Sequence, residues 1–373
     1  TEKQQRTFMD KLYTGEWSGT MCLTEPQAGS DVGALRTKAV LNDDGTYSIT
    51  GTKIFISCGE HDLTENIVHM VLARIEGAPQ GTKGISLFII PKLRPENGEL
   101  VDNDVVCPGI EHKLGIHGSA TSTLNFGENN NCIGYLLGEA NQGMRIMFQM
   151  MNESRLFVGM QGQSHASAAY LYALQYAKER TQGSDVSRIK DPTAPRVAII
   201  NHPDVRRMLM FMKSVSEGLR ALLYYVGFCD DMVRSAENDE EREKYQDFID
   251  ILIPVCKAYG SDMGFRVCET AIQVLAGYGY CQEHPVEQFL RDCKIASIYE
   301  GTNGIQALDL VGRKLAIKRG QLFKRLIAET EEFLGWAHKN FELRELVAIF
   351  EAARQQLIEV TKYFGLKGMT EDY

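Results

Sequence analysis

The sequence predicts a multidomain α+β chain in which an antiparallel β-barrel or sandwich precedes an antiparallel four-helix bundle. Two regimes of hydrophobic spacing lead to this prediction. From about residue 17 to 138 the chain carries short β-rich runs split by turn residues, and from about residue 140 onward the apolar residues recur at helical spacing. No strong helical stretch interrupts the β-rich part, which argues against a doubly wound, nicotinamide-binding sheet.

The β-rich part contains one hairpin signal and several further strands. Residues 38–41 and 47–50 flank the polar, glycine-containing run 42–46, a pattern that favours a tight antiparallel connection. Further strands are predicted at residues 53–57, 67–75, 84–90 and 122–126.

The second regime predicts long amphipathic helices. They are expected at residues 142–180, 203–235, 240–276 and 305–326, with further helical segments at 329–339 and 342–363. The linker 181–201 is rich in Gly, Ser, Asp and Pro, as expected for a loop between helices. Long helices joined by few loops are typical of an antiparallel four-helix bundle.

Composition and charge argue against several classes of protein. The chain has 373 residues, of which 44% are hydrophobic and 24% charged, and no apolar run approaches the roughly 18 residues of a membrane helix. A net charge of −9 argues against nucleic acid as the main partner. The nine cysteines and eight histidines lack metal-ligand spacing, so we expect neither a metal site nor a disulfide framework. The polar N-terminus has no signal-peptide pattern, and we expect a reducing compartment without secretion.

One segment carries the candidate catalytic group. Residues 298–306 read Ile-Tyr-Glu-Gly-Thr-Asn-Gly-Ile-Gln, which places Glu300 between an aromatic ring and a glycine, ahead of a threonine-led helix start. A poorly solvated carboxylate at such a place would have a raised pKa and could act as a base. The alternative is a glutamate that only interacts with the free N–H groups at a helix start.

Three other segments have unusual composition. Residues 21–31 read Met-Cys-Leu-Thr-Glu-Pro-Gln-Ala-Gly-Ser-Asp, in which Pro26 and Gly29 favour a sharp turn that presents backbone donors. Residues 53–59 read as a strand with an aromatic centre, and residues 273–280 end a helix with closely spaced glycines.

In this order and spacing, the segments resemble those of the acyl-CoA dehydrogenase family. The resemblance covers residues 17–318, about four fifths of the chain. It implies a β-domain and a C-terminal helical domain with an FAD between them. It also implies that a glutamate removes the α-proton of an acyl-CoA thioester while the β-hydrogen leaves as hydride to the flavin.

The resemblance identifies Glu300 with the catalytic base. Some family members instead carry the base on a distant helix, directly before an arginine that here resembles Arg155. The preceding residue is Ser154, and Glu153 lies one residue further back, turned by about 100° on a helix. The arrangement therefore favours Glu300.

On the β side the resemblance assigns contacts to the flavin and to CoA. It implies that the Thr24 hydroxyl bonds the pyrimidine ring of the flavin. Phe55 and Ser57 stand where the family often has Trp and Thr against the flavin, although Phe55 could instead be a core aromatic. Ser30 is expected at the CoA part of the substrate. The remaining implied FAD contacts on this side are Met21 and Leu23.

On the helical side the resemblance implies FAD contacts that cross to a neighbouring subunit. Gln273 and Gly277 would lie along the FAD of the neighbour, and Arg180 and Gln182 fall near positions that reach its phosphates. Thr302 would contact the cofactor, and its alternative is a helix-cap hydroxyl. The implied substrate contacts of the helical part are Arg155 and Gly301. His117 stands where the family usually has Arg, and for a lone loop histidine we expect a structural role.

The resemblance further implies partners and a location. An electron-transferring flavoprotein would take the electrons, and a homodimer or homotetramer is expected because the cofactor site borrows residues from a neighbour. The bacterial cytoplasm or the mitochondrial matrix is the expected location. An acyl-CoA oxidase remains an alternative. Nitroalkane oxidation uses Asp as its base, which Glu300 argues against, and a flavin-bearing DNA-binding relative is disfavoured by the net charge of −9.

Full-length family members carry an N-terminal helical domain, and a larger subclass adds a C-terminal one. We therefore expect a piece of a longer enzyme, in which residues 1–16 are a remnant of the N-terminal helical region and residues 17–138 form the β-domain. Residues 139–318 would form the helical bundle with the base, and residues 319–373 would begin the extra C-terminal helical region.

Overall fold

A computed structural model describes residues 1–367 and divides the chain into two compact units, Thr1–Glu153 and the part from Ser154 onward. The first unit opens with helices α1 (Glu2–Gln4) and α2 (Asp10–Thr14), joined by a π-helical turn, Gln5–Met9. Ten strands follow: β1 (Trp17–Cys22), β2 (Lys38–Leu41), β3 (Tyr47–Ser57), β4 (Asn66–Ile75), β5 (Ile85–Pro91), β6 (Leu93–Glu96), β7 (Glu99–Asp102), β8 (Val105–Ile110), β9 (Thr121–Phe126) and β10 (Ile133–Leu137).

The strands form one large sheet in the order β1-β4-β5-β10-β3-β9-β8, with β2 pairing to β3 and β4, and a separate hairpin β6-β7. The predicted hairpin is confirmed, because β2 and β3 pair antiparallel from Lys38 opposite Thr50 to Leu41 opposite Tyr47. The sheet is mixed, which corrects the expectation of an antiparallel domain in this respect. β1 and β2 both pair with β4 in parallel, and the connection between β1 and β4 is far longer than such a crossover needs.

Strand β3 carries an irregularity that shapes the surface of this unit. Its register against β9 shifts between Lys53 and Ile56, and Phe55 adopts a left-handed conformation with φ of 60°. A bulge of this kind bends the strand and redirects a side chain. The Phe55 ring is accordingly 59% exposed, while Lys53 and Ile56 on either side are buried.

The second unit is helical. Its main helices are α3 (Gly143–Glu179), which begins in the first unit, α4 (Pro203–Ser235), α5 (Asp239–Leu275) and α6 (Val286–Cys293), followed by α7 (Asn303–Leu308), α8 (Gln321–Ala337) and α9 (Arg344–Lys367). One apolar cluster joins α3 through Ala166, α4 through Met212, α5 through Val267 and α6 through Val286. A second cluster joins α4 and α5 to Leu322 of α8. The predicted order of a β-domain followed by packed helices is confirmed.

The helix predicted over residues 305–326 is wrong as a single element. A π-helical turn, Asp309–Arg313, follows α7, and Lys318 and Arg319 then adopt left-handed φ values of 48° and 57°. Three successive residues with positive φ, ending at Gly320, break the helix before α8 begins. Apolar spacing alone cannot reveal such a break.

The described residues contain neither a membrane-spanning helix nor a disulfide bond. No helix among residues 1–367 is long and apolar enough to cross a membrane. All nine cysteines are free, six of them buried.

Candidate active site

Glu300 lies in a short connection between a 3-10 turn, Lys294–Ser297, and helix α7. Thr302 caps α7, because its hydroxyl accepts a hydrogen bond from the Ile305 N–H at 3.3 Å. Glu300 and Gly301 both adopt left-handed backbone conformations, with φ of 56° and 83°. A non-glycine residue in this region is strained, and such strain is often stored at functional sites.

Two side chains hold the backbone of this connection. The Gln306 amide nitrogen donates to the carbonyl oxygens of Glu300 at 3.2 Å and of Gly301 at 3.1 Å. The Lys257 ammonium, from α5, donates to the Gly301 carbonyl at 2.7 Å. The left-handed φ of Gly301 favours glycine there, and a side chain at this position would also displace the Gln306 amide, whose nitrogen would lie 2.8 Å from the Cβ atom.

Helices α3 and α5 approach each other through glycines near this connection. A Cβ atom on Gly260 would lie 2.8 Å from the carbonyl oxygen of Gly159, and one on Gly162 would lie 2.3 Å from that of Gly260. Because no side chain separates the two backbones, Arg155 on α3 and Lys257 on α5 can both reach the connection between Lys294–Ser297 and α7.

The Glu300 carboxyl is poorly solvated. Its Oε2 is buried and has no hydrogen-bond partner among the described residues. Burial raises the pKa of Glu300 above its usual 4.5, and the positive charges of Arg155 and Lys257 oppose that rise only in part. A carboxylate in this environment is a stronger base than one in water.

Arg155 is a buried side chain near Glu300, and an ion pair holds it in place. Its guanidinium forms an ion pair with Asp309 at 3.0 Å, and only 2% of the residue is exposed. Asp309 also pairs with Arg313 at 2.6 Å. The arginine therefore serves as a fixed positive charge near Glu300, and its predicted contact with substrate stays a prediction.

In the first unit, the segment after β1 is anchored from behind. The buried Lys53 ammonium donates to the Leu23 carbonyl at 3.0 Å and to the Glu25 carboxylate at 2.8 Å. The Ile54 N–H donates to the Thr24 carbonyl at 3.0 Å. These bonds hold the backbone around Thr24 in one conformation, and Met21 pairs with Met70 of β4 within the sheet.

The predicted flavin-side residues of β3 face outward. Phe55 is not a core aromatic, because its ring is 59% exposed, and Ser57 is exposed as well. An exposed aromatic ring held by a left-handed bulge offers a flat apolar surface, which fits a planar ring system. Ser30 is also exposed.

Four residues of the helical unit were predicted to contact the cofactor: Arg180, Gln182, Gln273 and Gly277. They lie in two segments, 180–182 and 273–278, that contact each other. The Arg180 guanidinium donates to the Gln182 side-chain oxygen at 2.8 Å and lies 5.8 Å from the ring centroid of Tyr278. Gly277 directly precedes Tyr278, and Gln273 lies in the last turn of α5. All four are exposed, so they form a polar surface of the unit.

Sequence reasoning missed Lys257 and Gln306, the two residues that bind the backbone around Glu300. A signal for Lys257 exists, because it shares the helix face of Gly260 and Gly264, where a buried side chain is expected. His117 contacts the Lys113 carbonyl at 2.7 Å within its own loop, consistent with a structural role. Among residues 1–367 no group of His, Cys, Asp or Glu could hold a metal ion.

Comparison with known proteins identifies the family. Residues 20–128 match the profile of the acyl-CoA dehydrogenase middle domain, and residues 141–315 match that of the acyl-CoA dehydrogenase C-terminal domain. A butyryl-CoA dehydrogenase of Syntrophomonas wolfei subsp. wolfei is 48% identical over 342 residues, 90% of this chain and 56% of the relative. The broad-specificity linear acyl-CoA dehydrogenase FadE5 of Mycobacterium tuberculosis is 43% identical over 359 residues, 95% and 59% of the two chains. The chain spans about half the length of these relatives.

Solved structures agree with this result. Butyryl-CoA dehydrogenase from Megasphaera elsdenii has a TM-score of 0.67 at 30% identity, with 84% of this chain and 72% of that chain covered. A chain from the structure of the electron transferring flavoprotein of Acidaminococcus fermentans has a TM-score of 0.66 at 29% identity, with coverage of 86% and 73%. Caenorhabditis elegans ACDH-11 in complex with C11-CoA shares the fold, with a TM-score of 0.78 at 23% identity and coverage of 92% and 54%. The chain belongs to the acyl-CoA dehydrogenase family, of which it carries the middle and C-terminal domains.

Proposed function

We propose that this chain is part of an FAD-dependent dehydrogenase that introduces an α,β double bond into an acyl-CoA thioester. The observation that carries the proposal is the Glu300 carboxyl. It lies in a strained connection, is desolvated, and has one buried oxygen without a hydrogen-bond partner among the described residues. A base with these properties suits a weakly acidic C–H bond next to a thioester carbonyl.

The roles of the residues follow from this geometry. Glu300 accepts the α-proton, and the electron pair of that C–H bond becomes the new double bond as the β-hydrogen departs with its own pair. FAD, when bound, supplies the two-electron acceptor for that hydride. Arg155 and Lys257 keep the carboxyl ionised enough to act, because their positive charges limit the rise in its pKa.

FAD fits the residues that the two units present. In the first unit, the anchored Thr24 backbone, the exposed Phe55 ring and the Ser57 hydroxyl would contact the ring system. In the second unit, the exposed surface of Arg180, Gln182, Gln273 and Gly277 would contact the phosphates and adenosine of an FAD held by another subunit, which requires a homo-oligomer. Ser30 and Gly301 would contact substrate, and Thr302 the cofactor.

The comparisons support the substrate class. The curated relatives act, by their names, on butyryl-CoA and on linear acyl-CoAs. The electron acceptor would be an electron-transferring flavoprotein, as the family resemblance implies. A cytoplasmic location agrees with the free cysteines of the described chain.

Anaerobic mixing of the full-length, FAD-loaded protein with acyl-CoAs of graded chain length tests the proposal. We expect the flavin absorbance band to bleach, fastest with the preferred chain length. Rapid peroxide formation on admission of oxygen would identify an oxidase instead. A flavin that stays oxidised with every thioester, in a protein that binds FAD, would contradict the proposed dehydrogenation.

A further inference from the structure

Building on the proposed function, we propose that Lys257 is a positioning residue that, with Gln306, holds the Glu300–Gly301 backbone in the conformation that presents the base. The sequence motif around Glu300 does not indicate a role for Lys257, because Lys257 lies far away in sequence, on helix α5. The structure joins Lys257 to this motif through a hydrogen bond to the Gly301 carbonyl.

The bond pattern carries the proposal. The Lys257 ammonium donates to the Gly301 carbonyl at 2.7 Å and to the Asn303 side-chain oxygen at 3.0 Å. The Gln306 amide nitrogen donates to the carbonyl oxygens of both Glu300 and Gly301. Three donor contacts thus converge on two carbonyl oxygens of a left-handed pair, which is how a strained backbone is kept from relaxing.

A comparison with the other buried lysines separates positioning from simple packing. Lys53, Lys257 and Lys314 are the buried lysines of the described chain. Lys53 bonds directly to the carboxylate of Glu25 and Lys314 to that of Asp250, each at 2.8 Å. Lys257 instead donates its hydrogen bonds to the Gly301 carbonyl oxygen and the Asn303 amide oxygen. Burying a charge without a directly bonded counter-charge is costly, and a functional role explains its presence next to the base.

Asn303 connects Lys257 to the carboxylate of Asp262. The Asn303 side chain accepts from Lys257 and donates to Asp262 at 2.7 Å. Burial lowers the pKa of Lys257 to about 8, with Asp262 opposing that shift. Above that pH the Lys257 ammonium loses its proton. Arg155 is then the remaining one of the two cations that lower the pKa of Glu300.

Several charges act on Glu300 or on its neighbours and must be considered in any pH profile. Arg155 of α3 and Lys257 of α5 both lower its pKa. Asp262, also on α5, acts on Lys257. Asp309 and Arg313, which follow α7, act on Arg155. The phenol of Tyr299 neighbours Glu300 and interacts with its charge.

The test compares Lys257→Met with Lys314→Met in the full-length, FAD-loaded protein. Lys314 is the matched control, since it is a buried lysine of the same unit that bonds Asp250; its charge acts on Asp309 and not directly on Glu300. We expect Lys257→Met to slow anaerobic flavin reduction by roughly 10- to 100-fold with the half-saturating acyl-CoA concentration little changed. The acidic limb of the rate profile should move to higher pH, because loss of a cation raises the pKa of Glu300. Lys314→Met should change both quantities far less, because its charge reaches Glu300 only through Asp309 and Arg155.

A second variant and a second readout keep the proposal falsifiable if Lys257→Met folds poorly. Gln306→Met removes two of the donor contacts without changing a charge, so it should slow reduction without moving the acidic limb. Isotope-edited infrared titration of the Glu300 carboxyl, assigned by its loss in Glu300→Gln, needs no acyl-CoA. It should show a raised pKa in Lys257→Met alone.

Three results have distinct meanings. Wild-type rates and an unmoved carboxyl titration in Lys257→Met would overturn the positioning role. Equal rate losses in Lys257→Met and Lys314→Met would overturn it too, because they would indicate a general effect of losing a buried lysine. Failure of wild type to reduce its flavin would contradict the proposed function, and the carboxyl titration would still decide the effect of Lys257 on Glu300.

Discussion

Two glutamates, one in each unit, occupy opposite environments, Glu25 buried and Glu300 half-buried. Both oxygens of Glu25 are saturated: Lys53 donates at 2.8 Å and the Thr37 hydroxyl at 2.6 Å to one, and the Arg36 N–H at 2.6 Å to the other. Glu300 keeps one buried oxygen without a hydrogen-bond partner among the described residues. The first carboxylate is fixed by its surroundings, and the second is left chemically available.

The pKa values of the two groups diverge for this reason. Burial alone would raise the pKa of Glu25, but Lys53 and the hydrogen bonds from Thr37 and Arg36 outweigh it and lower the pKa to about 2. At Glu300 burial prevails over Arg155 and Lys257, and the pKa is raised. A buried carboxylate with complete hydrogen bonding supports the fold, whereas one with incomplete hydrogen bonding is a candidate base.

The largest expected effect on stability is that of Glu25→Gln. The substitution leaves the fully buried Lys53 ammonium without a counter-charge, which should lower the free energy of unfolding by about 3–5 kcal/mol. The stability that Glu25 contributes is complete above pH 4.5 and is lost as the pH falls toward 2. Urea unfolding at pH 7 and at lower pH measures both quantities.

The double variant Glu25→Gln/Lys53→Met is the control for this prediction. Removing both charges together should restore part of the stability that the single variant loses. A loss below about 1 kcal/mol in Glu25→Gln would contradict the view that the pair fixes the segment after β1.

The next effect tests how the surroundings of Glu300 are assembled. Gly260→Ala places a Cβ atom 2.8 Å from the Gly159 carbonyl, so α3 and α5 must separate, at an expected cost of about 1–3 kcal/mol. Gly218→Ala, on α4, meets no atom within 4 Å and should stabilise by up to about 1 kcal/mol. Thermal unfolding of the two variants gives the comparison. Equal effects would show that the glycine contact does not hold the helices together.

The smallest effect has the opposite sign to that of Glu25. Glu300→Gln removes a desolvated charge, so the variant should be more stable than wild type at neutral pH by on the order of 1 kcal/mol. The pKa of Glu300 is raised in the folded protein, so protonated Glu300 favours folding. This contribution to stability is complete below pH 4.5 and is lost as the pH rises through the folded pKa. The gain should therefore vanish at low pH. A destabilised variant at pH 7 would indicate that Glu300 is a structural group like Glu25.

The sequence predicts some of these features and not others, for physical reasons. Helix α4 was predicted at its observed bounds, because Pro203 starts it and its apolar residues keep a helical period. Glu300 was predicted as the base because residues 298–306 resemble the family segment that carries it, and this assignment stays a prediction. The parallel pairing of β1 with β4 was not predicted, since it depends on a long-range crossover.

Lys257 and Phe55 illustrate the limits of sequence reasoning more sharply. The role of Lys257 depends on the approach of α3 to α5 and on a distant carbonyl, neither of which local pattern encodes. Phe55 reads as an ordinary strand residue, but its exposure follows from a bulge between Lys53 and Ile56 that only the pairing with β9 reveals. The predicted domain bounds and cofactor contacts stay predictions.

Stopped-flow reduction of the flavin by acyl-CoA, without oxygen, in wild type and in Glu300→Gln tests the central claim most directly. We expect wild type to bleach. Glu300→Gln should keep its yellow FAD and bind the thioester, but reduce at least about 10²- to 10⁴-fold more slowly, because a carboxamide cannot take the α-proton. Reduction of Glu300→Gln at the wild-type rate would contradict the assignment of Glu300 as the base.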